Sequence, residues 1–242
     1  MCKKALLITG ASSDIGCELI KCIYEEYDII VAHYYSSNKV LKELKNKLGD
    51  KLKLIQADFS QKEDVQQMIY EIKTNDIVIN HIVHLAAPKL KYAKFAKSET
   101  EHLELEMQKS LYAIVDLLKA FLPDMIKFQY GRLVIMLSSV TVNVPPKYLS
   151  SYVTTKYALL GLVRSLAVEY GDKGITINGI SPEMIETKFL SEIPDFVVEK
   201  GALESPLGRN LSVNDVVPMI QYLLSDFAVA INGQNLAITG GR

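Results

Sequence analysis

Short apolar runs alternate with stretches of helical spacing along almost the whole chain. Strand-like runs, rich in β-branched residues and bounded by turn residues, cover residues 5–9, 29–34, 52–57, 133–137, 175–180 and 236–238; another lies within 77–85. Between them, apolar positions recur with helical period over 15–26, 40–48, 65–73, 98–127, 151–169 and 213–224. This alternation predicts an α/β protein. Parallel strands need crossover connections, and right-handed crossovers place helices on both faces of a doubly wound sheet. No repeat, low-complexity tract or linker interrupts the pattern, so one domain is expected over residues 1–242. The least regular stretch, 187–209, is long for a plain connection and is expected to form a lid over a site.

Two helices lack a clear polar side. Residues 158–163 are apolar nearly all round, and the long helix carries Leu103, Met107, Leu111, Ile114, Leu118 and Phe121. A helix of this kind meets its own sheet and something else. A second copy of the chain is the expected something else, as a homodimer or homotetramer.

Charge narrows the functions. Acids and bases are interspersed and the formal net charge is −1, which disfavours nucleic acid and anionic membranes as partners. No apolar run approaches the roughly 20 residues needed to span a bilayer. Cys2, Cys17 and Cys22 are odd in number and form no C-x-x-C pair. Free thiols in a reducing compartment are expected, with no metal site. The N-terminus lacks the features of a signal peptide, so a cytoplasmic protein is expected.

The first strand runs into Thr9-Gly10-Ala11-Ser12-Ser13-Asp14-Ile15-Gly16 and then a helix. A glycine turn there lets backbone N–H groups and the helix N-terminus meet a phosphate. Gly10, Ser12, Ser13, Ile15 and Gly16 are therefore candidate dinucleotide contacts. Asp14 would repel a pyrophosphate and is expected to cap the helix instead. After the second strand, no acid occurs between Asp28 and Glu43 to hold ribose hydroxyls. Tyr35, Ser36, Ser37, Asn38 and Lys39 offer hydroxyls, an amide and a cation to a 2′-phosphate. NADP is the expected cofactor, with NAD as the alternative.

Tyr152 and Lys156, at i and i+4, share a helix face, and Ser139 lies thirteen residues before Tyr152. A neighbouring ammonium is expected to pull a phenol down from its usual value of about 10. Such a phenol can give a proton to a carbonyl oxygen or take one from an alcohol.

Taken in order, these features resemble the classical short-chain dehydrogenase/reductase family. The resemblance covers nearly the whole chain: residues 9–16, Asp58, Ser139, Tyr152, Lys156, 178–187, 206–209 and 233–241. It implies a Rossmann domain with a seven-stranded parallel sheet of order 3-2-1-4-5-6-7. It implies hydride transfer between a nicotinamide and a carbonyl or alcohol substrate, as in 3-oxoacyl-carrier-protein reductases. Tyr152 would be the acid/base, Lys156 would hold the nicotinamide ribose, and Ser139 would orient the substrate oxygen. Asp58 would meet the adenine, and its neighbour Phe59 is a further cofactor-binding candidate. Ala86 and Ala87 would line the cofactor, with Pro182, Ile185 and Thr187 near the nicotinamide.

Three departures stand out. Ser110 occupies the place of the family's catalytic asparagine, which supports a water linking the lysine to solvent. The usual Asn-Asn-Ala-Gly reads His84-Leu85-Ala86-Ala87, and His84 is expected to be a packed, hydrogen-bonded histidine. The usual Pro-Gly reads Pro182-Glu183, whose carboxylate faces either substrate or solvent. These changes keep open a protein that binds nucleotide without catalysis.

Overall fold

The computed structural model describes residues 3–191 and 193–242. Seven parallel strands form one sheet in the order β3-β2-β1-β4-β5-β6-β7. They are β1 Ala5–Thr9, β2 Ile29–Tyr34, β3 Leu52–Gln56, β4 His81–His84, β5 Gly131–Met136, β6 Ile175–Pro182 and β7 Asn235–Ile238. The order reverses between β1 and β4, leaving a crevice at their C-terminal ends where such sheets bind ligands.

Strand alternation divides the core. Leu7 of β1 and Ile82 of β4 face one side, packing with helices α3 (Lys62–Thr74), α5 (Ala113–Phe128) and α6 (Ser150–Tyr170). Leu6, Ile8 and Val83 face the other, with α1 (Asp14–Ile23), α2 (Lys39–Leu48) and α8 (Val213–Leu224). Strands buried on both faces read as continuous apolar runs, which is why 5–9 stood out. Each such side chain contributes about 1.5–3 kcal/mol by leaving water.

Several boundaries move for local reasons. β4 begins only at His81, because the Asn80 amide oxygen accepts the Ala5 N–H and its Nδ2 donates to the Lys3 carbonyl. The expected single helix 98–127 is interrupted. α4 (Thr100–Glu106) passes through a π-helical turn, Met107–Tyr112, into α5. Within the expected lid, α7 (Asp195–Glu204) is helical. Its short sequence, with Gly201 inside, carries little helical period.

Phe189, Leu190, Ile193, Val197 and Val198 from this stretch pack with Leu90, Leu149, Tyr152 and Val153. The segment thus roofs the C-terminal edge of the sheet; its residue 192 lies outside the described residues. Cys17 and Cys22 are free thiols, and Cys2 lies outside the described residues.

Candidate active site

The glycine turn is shaped by close packing. Gly10 has φ +67°, and a Cβ there would stand 2.9 Å from the Ala86 nitrogen. A Cβ on Gly16 would meet the Ala11 carbonyl at 2.6 Å. Only glycine lets the turn lie against β4 and the helix against the turn. His33 fixes the turn from behind. Its Nδ1 accepts the Gly10 N–H at 3.1 Å, and its Nε2–H donates to the Ala57 carbonyl at 3.1 Å. Burial lowers the His33 pKa to about 4, so the ring is neutral.

Ser13, not Asp14, caps α1, its hydroxyl accepting the Gly16 N–H at 3.2 Å. Asp14 turns outward, accepts the Lys188 N–H at 2.8 Å and pairs with its ammonium at 3.8 Å. The expected cap is therefore a tether to the roof, and its carboxylate meets a cation.

A cavity of about 250 Å³ opens at the C-terminal strand ends. It brings together Ser12, Ser13 and Ile15 with Ala87, Ser139, Tyr152 and Lys156, and with Pro182, Ile185 and Thr187. Apolar side chains, among them Leu90, Leu137, Val140, Leu149 and Phe189, form much of the remaining wall.

Tyr152 and Lys156 behave differently from the expectation. The Lys156 Nζ lies 5.5 Å from the Tyr152 ring centre and donates to the Met136 carbonyl at 2.7 Å. Burial pushes the phenol up to about 12. A hydrogen bond with Ser138 pulls it back, and the charges of Glu106 and Glu183 push it further up. Desolvation and two nearby carboxylates outweigh the Ser138 hydrogen bond, so the phenol is protonated at neutral pH. Burial lowers the Lys156 ammonium to about 8, with Glu106 acting against that shift.

The hydroxyl bonded to the phenol is that of Ser138, whose oxygen also accepts the Val140 N–H at 3.4 Å. Ser139 lies on the same cavity wall. Spacing alone selected Ser139 and missed its neighbour.

Other expected residues fall elsewhere. Phe59 is a core side chain, 4% exposed, stacked on His33 with ring centres 3.9 Å apart. Tyr35, Ser36 and Ser37 stand on an exposed loop. Beside them, Asp58 pairs with Lys109 at 3.2 Å, and the Lys109 ammonium lies 4.4 Å from the Tyr35 ring centre. Bonds from Ser60 and the Lys109 cation hold the Asp58 carboxyl below its usual value, against a desolvation that raises it.

His84 is packed and neutral, its pKa lowered to about 3 by burial. Its Nε2–H donates to the Ser110 carbonyl at 2.8 Å. Its Nδ1 accepts from the Thr9 hydroxyl at 2.7 Å, which in turn accepts the N–H groups of Leu85 and Ala86. Ser110 itself lies in the π-helical turn, and its buried hydroxyl has no partner among the described residues. Glu183 reaches both surroundings: it lines the cavity and pairs with Arg242 at 3.5 Å.

Residues that sequence reasoning did not single out are Ser138, Lys109, His33 and Glu106. Glu106 is 7% exposed on α4. Its signal was an acid four residues before Ser110, on a helix face otherwise destined for burial.

The family profile described as "Enoyl-(Acyl carrier protein) reductase" matches residues 10–242. The 3-oxoacyl-[acyl-carrier-protein] reductase FabG of Staphylococcus aureus is 29% identical over 242 residues, covering 98% of this chain and 97% of its own. Nodulation protein G of Rhizobium meliloti is 26% identical over 239 residues, covering 97% and 95%. Among solved structures, levodione reductase superposes with a TM-score of 0.88 at 23% identity, covering 98% of this chain and 96% of its own. A protein described as a short chain dehydrogenase/reductase family protein gives 0.86 at 22%, with the same coverage. Sheet order, glycine turn and family match agree: the chain belongs to the classical short-chain dehydrogenase/reductase family of nicotinamide-dependent oxidoreductases.

Proposed function

We propose that the chain is an NADP(H)-preferring carbonyl reductase with Tyr152 as its acid/base. The observation that carries this reading is one cavity shared by the α1 N-terminal turn, Tyr152, Lys156 and Ser139. The cradle fits a dinucleotide, since glycine at 10 and 16 lets the turn pack against the Ala86 and Ala11 backbone, the tight strand-to-helix turn that such a cofactor needs. Gly10, Ser12, Ser13, Ile15 and Gly16 would hold the phosphates. Ala86 and Ala87 would line the ring, with Pro182, Ile185 and Thr187 beside its amide. Lys156 would reach the ribose. The nicotinamide, when bound, supplies or accepts the hydride.

The chain supplies the proton. A phenol held near 12 is a donor at neutral pH, suited to a carbonyl oxygen that becomes more basic as it is reduced. Ser138 and Ser139 would orient that oxygen. The apolar wall and roof favour a ketone or 3-oxoacyl group with a hydrocarbon flank over a sugar. The printed activity of the Staphylococcus aureus relative supports the acyl case. Lack of acids in the exposed loop after β2 supports NADP over NAD.

We place the protein in the cytoplasm as a homodimer or homotetramer. No described helix is long and apolar enough to cross a membrane. Tyr112, Tyr157 and Val168 leave apolar surface on the outer side of the long helices for a second copy.

NADPH oxidation should be followed with a panel of cyclic diketones, aryl ketones and 3-oxoacyl thioesters. Tyr152→Phe should lose at least about 100-fold in kcat while still binding NADPH. Tight NADPH binding without turnover on any carbonyl would replace this reading with a cofactor sensor.

A further inference from the structure

Glu183 stands where the family resemblance places a glycine, just past the end of β6 and in the wall of the cavity that holds Tyr152. Its backbone is fixed. Pro182 pairs in register with Ile238 of β7, and the Glu183 N–H donates to the Ile238 carbonyl at 2.9 Å. Next along the chain, the Met184 carbonyl accepts the Leu211 N–H at 2.9 Å, and the Glu186 N–H donates to the Leu211 carbonyl at 2.9 Å. A rigid frame of this kind positions a side chain well enough to recognise a small ligand.

The other charged groups of the cavity wall have close partners. Asp14 accepts the Lys188 N–H and pairs with its ammonium, and Lys156 donates to the Met136 carbonyl at 2.7 Å. Glu183 has Arg242 at 3.5 Å from its Oε1, and neither of its carboxylate oxygens takes a hydrogen bond among the described residues. The guanidinium is held elsewhere. Its Nη2 donates to the Gly201 carbonyl at 3.3 Å and the Glu204 carboxylate at 3.1 Å, and its Nε to the Glu204 carbonyl at 3.4 Å. These groups belong to the last turn of α7, where open carbonyls and the helix dipole suit a cation. Arg242 is thus a clasp on the roof helix that meets Glu183 only as a loose ion pair.

A carboxylate offers about four acceptor sites. The Glu183 side chain is 23% exposed, so most of it is out of solvent with that capacity unused. An apolar substrate lying over it would strip its remaining water and leave it unpaired, which costs free energy. A substrate that donates a hydrogen bond avoids the penalty. The carboxylate also acts on the Tyr152 phenol across the same cavity, so it faces the end where a carbonyl would be reduced.

We propose that Glu183 selects the substrate: the carbonyl compound that fits this cavity carries an N–H or O–H donor, which the carboxylate receives. This rests on the oxidoreductase reading above and narrows it. Much of the remaining wall is apolar, Leu90, Leu149 and Phe189 among it, so a hydrocarbon frame with one donor is matched and a sugar is not. Glu183 sets affinity and orientation, and the proton chemistry stays with Tyr152.

Cyclohexanones that carry an amino, a hydroxyl or a methyl group at the same ring position test the selection. Ligand-observed NMR titration of the full-length protein with NADP present measures their binding without turnover, because a ketone and an oxidised cofactor form a dead-end pair. The amino and hydroxyl ketones should bind at least about tenfold more tightly than the methyl ketone, as for a hydrogen bond to a charged acceptor. A preference confined to the amino compound assigns the recognition to charge; one shared by the hydroxyl compound assigns it to hydrogen bonding. Glu183→Gln, nearly isosteric, should lose the preference for the amino ketone and keep part of that for the hydroxyl, since its amide oxygen still accepts. Glu183→Leu should lose both and favour the methyl ketone. In NADPH-driven turnover the loss should fall on KM, with kcat little changed.

Three ketones that bind alike, or not at all, overturn the selection. So does an Arg242→Gln variant that loses the preference as fully as Glu183→Gln, because the carboxylate would then serve only Arg242. A Glu183→Gln variant that weakens NADP and leaves the ketone preference intact overturns it too, and assigns the carboxylate to the charge of the oxidised ring. A wild type that reduces carbonyls yet ignores the donor removes the selection alone. One that binds the donor ketones and reduces no carbonyl removes the oxidoreductase reading and keeps the recognition.

Discussion

The His84 imidazole donates to the Ser110 carbonyl at 2.8 Å, fastening the end of β4 to the π-helical turn between α4 and α5. Its other nitrogen is held by Thr9, the last residue of β1. One ring therefore ties together the two strands that flank the nucleotide crevice and the helix that carries Glu106. Both nitrogens are used, which fixes the neutral Nε2–H tautomer.

Replacing His84 by Ala should cost about 3 kcal/mol. The change opens a cavity, takes the acceptor from the buried Thr9 O–H and removes the ring N–H from the Ser110 carbonyl. Urea unfolding should show the loss as a lower midpoint with an unchanged slope. A loss below about 1 kcal/mol would mean that water or a shift of the π-helical turn replaces the ring.

Stability should fall steeply as the solution is acidified below about pH 6.5, the usual histidine value. His33, His81 and His84 are buried and held at about 4, 3 and 3. Depressed bases bind protons in the unfolded chain before the folded one, so their contribution is full above pH 6.5 and lost on the way down. Glu106 acts in the opposite sense: its carboxyl, raised to about 7, is protonated when folded and ionised when unfolded. At pH 5 unfolding should therefore take up about two protons, three by the histidines less one released by Glu106. The slope of unfolding free energy against pH measures this number. Glu106→Gln should raise it to about three; an unchanged slope would mean that Glu106 ionises at an ordinary carboxylate value.

The sheet was legible because buried parallel strands are apolar throughout, and the spacing of Gly10, Gly16, Tyr152 and Lys156 is set by that topology. What sequence could not supply is the effect of burial. The same Tyr152 and Lys156 that predict an acidic phenol sit where desolvation and two carboxylates reverse the sign. Asp14 read as a cap because its type suits one, yet Ser13 was one position better placed and Lys188, far along the chain, claimed the carboxylate. Phe59 follows Asp58 in the turn after β3, and its ring stacks on His33. Contacts across such distances leave no periodic trace.

Lys109 should influence the choice of cofactor. Its ammonium lies over Tyr35, the first residue of the exposed loop proposed for the 2′-phosphate, and is neutralised in part by Asp58 at 3.2 Å. Removing it in Lys109→Ala should weaken NADPH by about tenfold while changing NADH little, the loss expected for one charge-assisted contact. Fluorescence titration of both cofactors checks this. Equal losses for the two would assign Lys109 to the adenine end as a whole, and no loss would place the phosphate elsewhere.

Asp14 should control how firmly the roof closes. It joins the start of α1 to Lys188, with a main-chain bond at 2.8 Å and a longer ion pair at 3.8 Å. Partly exposed ion pairs are worth little to stability, so Asp14→Ala should leave the urea midpoint nearly unchanged. The tether, however, lies across the mouth of the cavity, and its loss should free residues 187–191 to open. NADPH release should accelerate several-fold, and proteolytic cleavage within 187–209 should become faster. Asp14→Asn separates the two bonds. Its amide oxygen can still accept the Lys188 N–H but carries no charge, so wild-type release in this variant would assign the tether to the main-chain bond. Release as fast as in the alanine variant would assign it to the ion pair, and with it a dependence on ionic strength.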